Sequence, residues 1–344
     1  MNAVFEPFRH WSMTGLVVVA VSAAMTAVLI LWLRPWLMRY ALARPNSRSS
    51  HRIPTPQGGG IAVVTSFIVV SGIALFATAF SIPVTGLLPL FAAVVLTAML
   101  GAVDDIFTVA VVPRLLIQTL AVGIVILSLP ADFNMTPFLP WWLERVLMVL
   151  GGVWFVNLVN FMDGLDWMTV AEILPVTGGL VLLGWLGALP DYAIVCALAL
   201  VGATLDFAPS NRPVARLFLG DVGSLPVGLI VGWLLALLAD KGNLAAALLL
   251  PLYYLADATI TLFRRLARGE RFWHAHRSHF YQRATDKGFS VNRIVARVFA
   301  VNLALVALAA ACVWFNTPAV EIAAFLAGLG IVGWLLLGFE RGRP

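Results

Sequence analysis

The chain has 344 residues, of which 61% are hydrophobic and only 11% charged, and its formal net charge is +5. A soluble domain needs about 25% charged residues to clothe its surface, so this composition excludes one and makes lipid the solvent. The positive balance reads as membrane topology and attraction to anionic lipid, not as a nucleic-acid surface.

Apolar runs of spanning length, about 20 residues, recur from end to end. In chain order they fall at 13–33, 60–80, 84–103, 110–129, 143–160, 168–189, 192–207, 218–239, 243–262, 293–315 and 318–338. The first run, from Leu16 to Leu33, ends in Arg34 without a clear cleavage site and reads as a helix rather than a signal peptide. The run at 192–207 is the shortest. Cys196 and Cys312 lie inside apolar runs with no CxxC partner, and both read as small buried hydrophobes. The expectation is an all-α integral membrane fold: one domain over residues 1–344, a polytopic bundle of about eleven transmembrane helices.

Lys and Arg concentrate in cytoplasmic loops. One set of connections holds Arg34, Arg39, Arg44, Arg48, Arg52, Arg114, Arg212, Arg216, the run from Arg264 to Arg297, Arg341 and Arg343. The other set holds only Arg9, Arg145 and Lys241. This predicts a periplasmic N-terminus and a cytoplasmic C-terminus. Cytoplasmic loops then fall at about 34–59, 104–110, 161–167, 208–217 and 263–292.

The acids sort onto that same face. Asp104 and Asp105 end the third span, Asp163 and Asp166 the fifth and Asp206 the seventh, while Asp221 opens the eighth. A carboxylate costs at least about 2.5–3.5 kcal/mol at mid-bilayer, and much less at a wet helix end. Acids gathered this closely repel one another unless a cation sits among them, and hard oxygen ligands favour Mg²⁺, with Mn²⁺ as the substitute. Gly58, Gly59 and Gly60, and Gly220 and Gly223 around Asp221, fit either close approach to an anion or tight helix packing.

The segment 263–292 is basic and aromatic, with Arg264, Arg265, Arg268, Arg271, Arg277, Arg283 and Lys287 set against Glu270 and Asp286. It also carries His274, His276 and His279. Three readings stand open: a zinc site, for which cysteine ligands are missing; a lipid-hugging surface helix; and a loop whose Arg and His side chains grip phosphates. The acids on the same face favour the third.

Taken in order, SHRIPTPQGGG, DD with Arg114 and Gln118, NxxNxxDGLD, GDVGS and the HxxH loop resemble the polyprenyl-phosphate N-acetylhexosamine-1-phosphate transferases over about residues 44–285. The resemblance implies a UDP-N-acetylhexosamine donor, undecaprenyl phosphate as acceptor, Mg²⁺ as cofactor and release of UMP. It further implies a multi-pass protein of a bacterial inner membrane with its site facing the cytoplasm. Asp104, Asp105, His276 and His279 match the family's catalytic positions, and Asp221 and Asp163 its metal positions. Asn157, Asn160, Asp163 and Asp166 match its nucleotide-binding motif, and His51, Arg114, Arg277 and Arg283 complete the substrate-binding candidates. His51 replaces a Lys usual in the peptidoglycan branch, and Ser278 interrupts that branch's histidine triplet. The chain therefore looks closer to the branch that starts O-antigen or capsule. Oligomeric state stays open, a homodimer included. The alternative is a polytopic transporter or lipid flippase, which would place charges near the midplane.

Overall fold

In the computed structural model, which describes residues 6–43, 54–77, 84–130, 132–136, 139–240, 242–270 and 276–342, the first apolar run is one long helix, α1 (Glu6–Tyr40). Among the described residues the helices are interrupted by a two-residue antiparallel ribbon, β1 (Leu42–Ala43) with β2 (Thr55–Pro56), and by an isolated bridge between Gln57 and Phe218. Then come α2 (Gly60–Ala77), α3 (Val84–Phe107), α4 (Val111–Leu127), α5 (Trp141–Met162), α6 (Met168–Trp185), α7 (Asp191–Asn211) and α8 (Asp221–Asp240). The chain closes with α9 (Leu244–Leu249), α10 (Leu252–Ala267), α11 (Phe280–Asp286), α12 (Val291–Phe315) and α13 (Pro318–Arg341). Nine of the described helices are long and apolar enough to cross a membrane, and α4 is a shorter apolar helix.

The span expected at 243–262 is not one helix. It breaks at Leu250–Pro251 between α9 and α10, because proline has no N–H for the helical ladder and its ring crowds the preceding turn. Beyond the break α10 carries Asp257, Arg264 and Arg265 on an otherwise apolar cylinder. The span expected at 192–207 is instead a full helix, extended at both ends to Asp191 and Asn211.

Helix α8 is the axis of the bundle. It packs on α2, α3 and α5, and 89% of its spanning window is buried against 22% for α1. Missing side chains make this approach possible. A Cβ on Gly60 would overlap the backbone of Gly223, and one on Gly101 the backbone of Asp221. Small residues at such crossings let helices meet backbone to backbone. The segment before α2 is held the same way: Phe218 N–H donates to Pro56 O at 2.9 Å, and the N–H groups of Gly59 and Gly60 donate to Phe218 O and Leu219 O. PTPQGGG and GDVGS, distant in sequence, therefore lie side by side. Cys196 and Cys312 are buried and unpaired, as expected.

Candidate active site

The end of α3, the starts of α4 and α8 and the end of α5 converge, and each contributes polar groups to a single network. Adjacent residues on a helix point about 100° apart, so the two acids of the DD pair meet different neighbours. Asp105 turns to α8, where its carboxylate accepts from the Asp221 N–H at 2.9 Å and the Val222 N–H at 3.2 Å. These are among the unpaired donors that begin any helix, and negative charge is favoured there. Gln57 braces the same turn by donating to Asp105 O at 3.0 Å. Gly220 has φ +75, and a Cβ on it would stand 2.6 Å from Asp105 Oδ2, so this cap needs glycine.

Asp104 turns to α4. Its Oδ1 accepts from Val109 N–H at 2.6 Å and its Oδ2 pairs with Arg114. Arg114 reaches on to Asp221 Oδ2 at 3.2 Å and donates to Asn160 Oδ1 at 2.7 Å. Asn160 in turn donates to Asp221 Oδ1 at 2.7 Å and to the buried Ser224 Oγ at 2.8 Å. One guanidinium thus neutralises part of the charge of two aspartates, and the α8 amides meet that of a third. The cation that the acids call for is partly supplied by the chain itself. Asn157 lies a turn deeper, where it donates to Gln118 Oε1 at 2.6 Å and ties α5 to α4.

Asp163 and Asp166 sit just beyond α5. Asp166 accepts from Ala215 N–H at 3.0 Å, while Trp167, in the left-handed region at φ 63, donates to Asn211 Oδ1 and Ala208 O. The 161–167 loop is so locked to the 208–217 loop. Asp163 accepts from Thr169 Oγ1. Burial pushes its carboxyl up to about 8, and the nearby Asp221, Asp105 and Asp166 charges add to that rise against the Thr169 bond. The repulsion that Arg114 and the α8 amides relieve elsewhere stays unrelieved at Asp163.

The histidine loop docks on this assembly. Tyr281 donates to Phe161 O at 3.0 Å, and a Cβ on Gly164 would collide with the Tyr281 hydroxyl. The rings of His276 and His279 lie 5.0 Å apart, and His279 stacks on Tyr281. Burial, then His279 and Arg265, lower His276 to about 4. With no anion beside it the ring is uncharged near pH 7, and it is hydrogen-bonded to Ser278 Oγ at 2.8 Å. Arg277 pairs with Asp286, and Arg283 and Arg264 with Glu340 of α13. Arg264, Arg265, Arg268, Arg277 and Arg283, with Ser278 and Thr261, line a cavity of about 250 Å³. Arg277 and Arg283 thus face one basic cavity. His51 lies outside the described residues, as do Arg271 and His274.

Sequence reasoning missed Asp257, Thr169 and Tyr281. Asp257 alone left a signal: a lone acid inside an apolar run.

Fold and site together define a polytopic membrane enzyme whose polar centre lies at one end of its helix bundle. The model of glycosyl transferase family 4 matches residues 87–239, which contain Asp104, Asp105, Arg114, Asn160, Asp163 and Asp221. Among similar proteins are a decaprenyl-phosphate N-acetylglucosaminephosphotransferase of Mycolicibacterium smegmatis, 25% identical over 91% of this chain and 84% of its own, and an undecaprenyl-phosphate alpha-N-acetylglucosaminyl 1-phosphate transferase of Salmonella typhi, 26% identical over 85% and 83%. A phospho-N-acetylmuramoyl-pentapeptide-transferase of Oceanobacillus iheyensis is 29% identical over 63% of this chain and 73% of its own. Over residues 87–239 the chain resembles glycosyl transferase family 4, and over most of its length it is similar to enzymes named as N-acetylglucosamine 1-phosphate transferases acting on polyprenyl phosphates.

Proposed function

We propose that this enzyme transfers an N-acetylhexosamine 1-phosphate from a UDP-linked sugar to undecaprenyl phosphate, at the cytoplasmic face of a bacterial inner membrane. UMP leaves, and the lipid diphosphate sugar that remains starts O-antigen or another surface polysaccharide. The observation that carries the proposal is the cluster in which Arg114 joins Asp104, Asp221 and Asn160 beside the strained Asp163. The relatives' names supply the acceptor and sugar classes. The replacements at His51 and Ser278 favour the O-antigen or capsule branch over the pentapeptide one.

In the reaction, an oxygen of the lipid phosphate attacks the donor's β-phosphorus, the one nearest the sugar. The bond from that phosphorus to the bridging oxygen breaks, and UMP departs with the oxygen. The sugar's anomeric bond is untouched. A lipid phosphate is already anionic near neutral pH, so positioning and charge neutralisation outweigh general-base work. Asp104 and Asp105, engaged by Arg114 and by the α8 amides, suit that division: they build the site, and the acceptor attacks directly.

The donor set fits Mg²⁺, with Mn²⁺ as a substitute. Magnesium commonly takes one or two carboxylates and completes its shell with substrate phosphates and water. Asp163 and Asp221 would hold it, and among the described residues no larger acidic or histidine cage stands ready. Bound there, it would neutralise charge building on the diphosphate. For the acceptor's tail this reading takes the apolar wall of the bundle. An apolar cavity of about 370 Å³ between α4, α5, α8 and the α9–α10 break is lined by Val122, Met148, Phe155, Val156, Trp233 and Leu248. Val156, in its wall, stands about one helical turn before Asn160 on α5.

The test is a donor panel. Purified protein, undecaprenyl phosphate and each UDP-N-acetylhexosamine should give UMP and a lipid diphosphate sugar only with a divalent cation, and Asp221→Asn should remove the product. A rate unmoved by chelation removes the metal; no product from any donor removes the function.

A further inference from the structure

Asp257 has no place in the scheme so far, yet it is the most heavily engaged carboxylate in the described chain. It lies midway along α10 and is 0% exposed. Its Oδ1 faces His279 Nδ1 at 3.1 Å and accepts from Phe280 N–H at 3.0 Å and Thr261 Oγ1 at 3.4 Å. Its Oδ2 accepts from Tyr281 N–H and the Tyr253 hydroxyl, both at 3.3 Å. A buried carboxylate is tolerated only when its lone pairs are met, and here the donors come from α10 itself and from the histidine loop.

An ionised carboxylate can only accept. The His279 nitrogen that faces it must therefore carry the hydrogen, which leaves Nε2 as the ring's lone-pair nitrogen. Which imidazole nitrogen is protonated is set by the bond the other one makes. The same carboxylate holds the N–H groups of Phe280 and Tyr281 that open α11, and Tyr281 reaches Phe161 O beside Asp163. One side chain thus fixes both a histidine's tautomer and the seat of its loop against the acidic centre.

We infer that Asp257 is the positioning residue of the histidine loop, holding His279 as the Nδ1–H tautomer against the 161–167 loop. The inference rests on the transferase reading for what the loop serves, but not for the contact itself. An Asn at this position keeps the shape but must turn its NH₂ either on His279 and Phe280 or on Tyr281 and Tyr253. Both choices set donor against donor.

The experiment uses the full chain in lipid nanodiscs with ¹⁵N-labelled histidine; the chain has five histidines, and His279→Asn assigns the signal. Wild type should show His279 with hydrogen on Nδ1, and Asp257→Asn should lose that form. With a UDP-N-acetylhexosamine donor, Asp257→Asn should lower kcat/KM by about 10- to 100-fold, as removal of a histidine's carboxylate partner commonly does. His279→Asn supplies an N–H where Nδ1 stood, so it should keep the thermal midpoint while losing turnover. In a His279→Ala background, Asp257→Asn should cost less than about twofold more, since residues acting as one unit do not add. Hydrogen on Nε2 in wild type, or losses that multiply in the double variant, would overturn the inference. Wild-type protein inert with every donor would instead sink the transferase reading, while the ¹⁵N signal still decides the Asp257–His279 contact.

Discussion

Asp163 gives the sharpest test of whether a divalent cation enters this site. Its carboxyl stands at about 8 because burial and three neighbouring acids disfavour its charge. A metal ligand must be deprotonated, so binding releases a proton wherever the ligand still holds one. The ionised fraction of a group near 8 rises about 50-fold from pH 6 to pH 8 and less than twofold from pH 8 to pH 9. Mg²⁺ or Mn²⁺ affinity should therefore climb by at least about 50-fold over the first interval, roughly 2.3 kcal/mol or more, and then level off. The stability of the metal-free protein should move the other way. The folded state holds this proton more tightly than the unfolded chain, so ionising Asp163 costs nothing below about pH 4. The cost grows as pH rises and is complete above about pH 8, at roughly 6 kcal/mol at most. Calorimetric titration of detergent-solubilised protein reads the affinity, and thermal unfolding without metal reads the stability. Asp163→Asn should abolish metal binding and raise the midpoint at pH 9. Affinity that is flat between pH 6 and pH 8, or an Asn variant that binds as wild type does, would refute the reasoning.

The remaining expectations are simpler. Arg114→Ala leaves Asp104 and Asp221 without their shared cation; it should cost about 1–3 kcal/mol in chemical unfolding and drop kcat well below a tenth of wild type. Asp105→Asn weakens the α8 cap by about 0.5–2 kcal/mol, and because Asp105 acts by seating Asp221, metal affinity should fall with stability. Gly101→Ala drives a methyl into the Asp221 backbone; it should cost at least about 1–3 kcal/mol and be seen as lost folded yield. Gly123→Ala, where nothing lies within 4 Å, should be neutral or stabilising by about 0.5–1 kcal/mol. Glu340→Ala frees Arg264 and Arg283, and the gain should appear as tighter binding of inorganic phosphate by the arginine cavity, read by calorimetry.

The lipid-embedded helices are legible because hydrocarbon demands long apolar runs, and the acids are legible because that same background makes each one conspicuous. The break at Pro251 is harder to see: apolar residues flank it on both sides, and composition does not distinguish one long helix from two angled pieces. The roles of Asp104 and Asp105 are likewise hidden in the pair. Their division follows from the 100° step of the helix and from what stands on either side, Arg114 in one direction and the bare amides of α8 in the other. Gly60 and Gly223 read equally as ligand approach or as packing until their contact, across nearly half the chain, is seen. His276 looks like a phosphate-gripping cation from sequence, and only its burial beside His279 and Arg265 makes it neutral.

The site is best understood as a graded neutralisation of clustered acids. Asp105 spends its charge on a helix start, which fixes where α8 begins. Asp104 and Asp221 share Arg114, which cannot release its proton and so acts as a permanent counter-charge. Asp166 is tied into the neighbouring loop by Ala215 N–H. Asp163 alone has only a hydroxyl for support, and its charge is the least tolerated. A site built this way does not bind a cation merely because it is acidic. On the proposed reading a cation would enter at Asp163, where the protein has withheld its own counter-charge, and would share its shell with the diphosphate of the donor. The arrangement also explains why the permanent cation is an arginine. The fork of Arg114 spans Asp104, Asp221 and Asn160 at once, which the single ammonium of a lysine could not do.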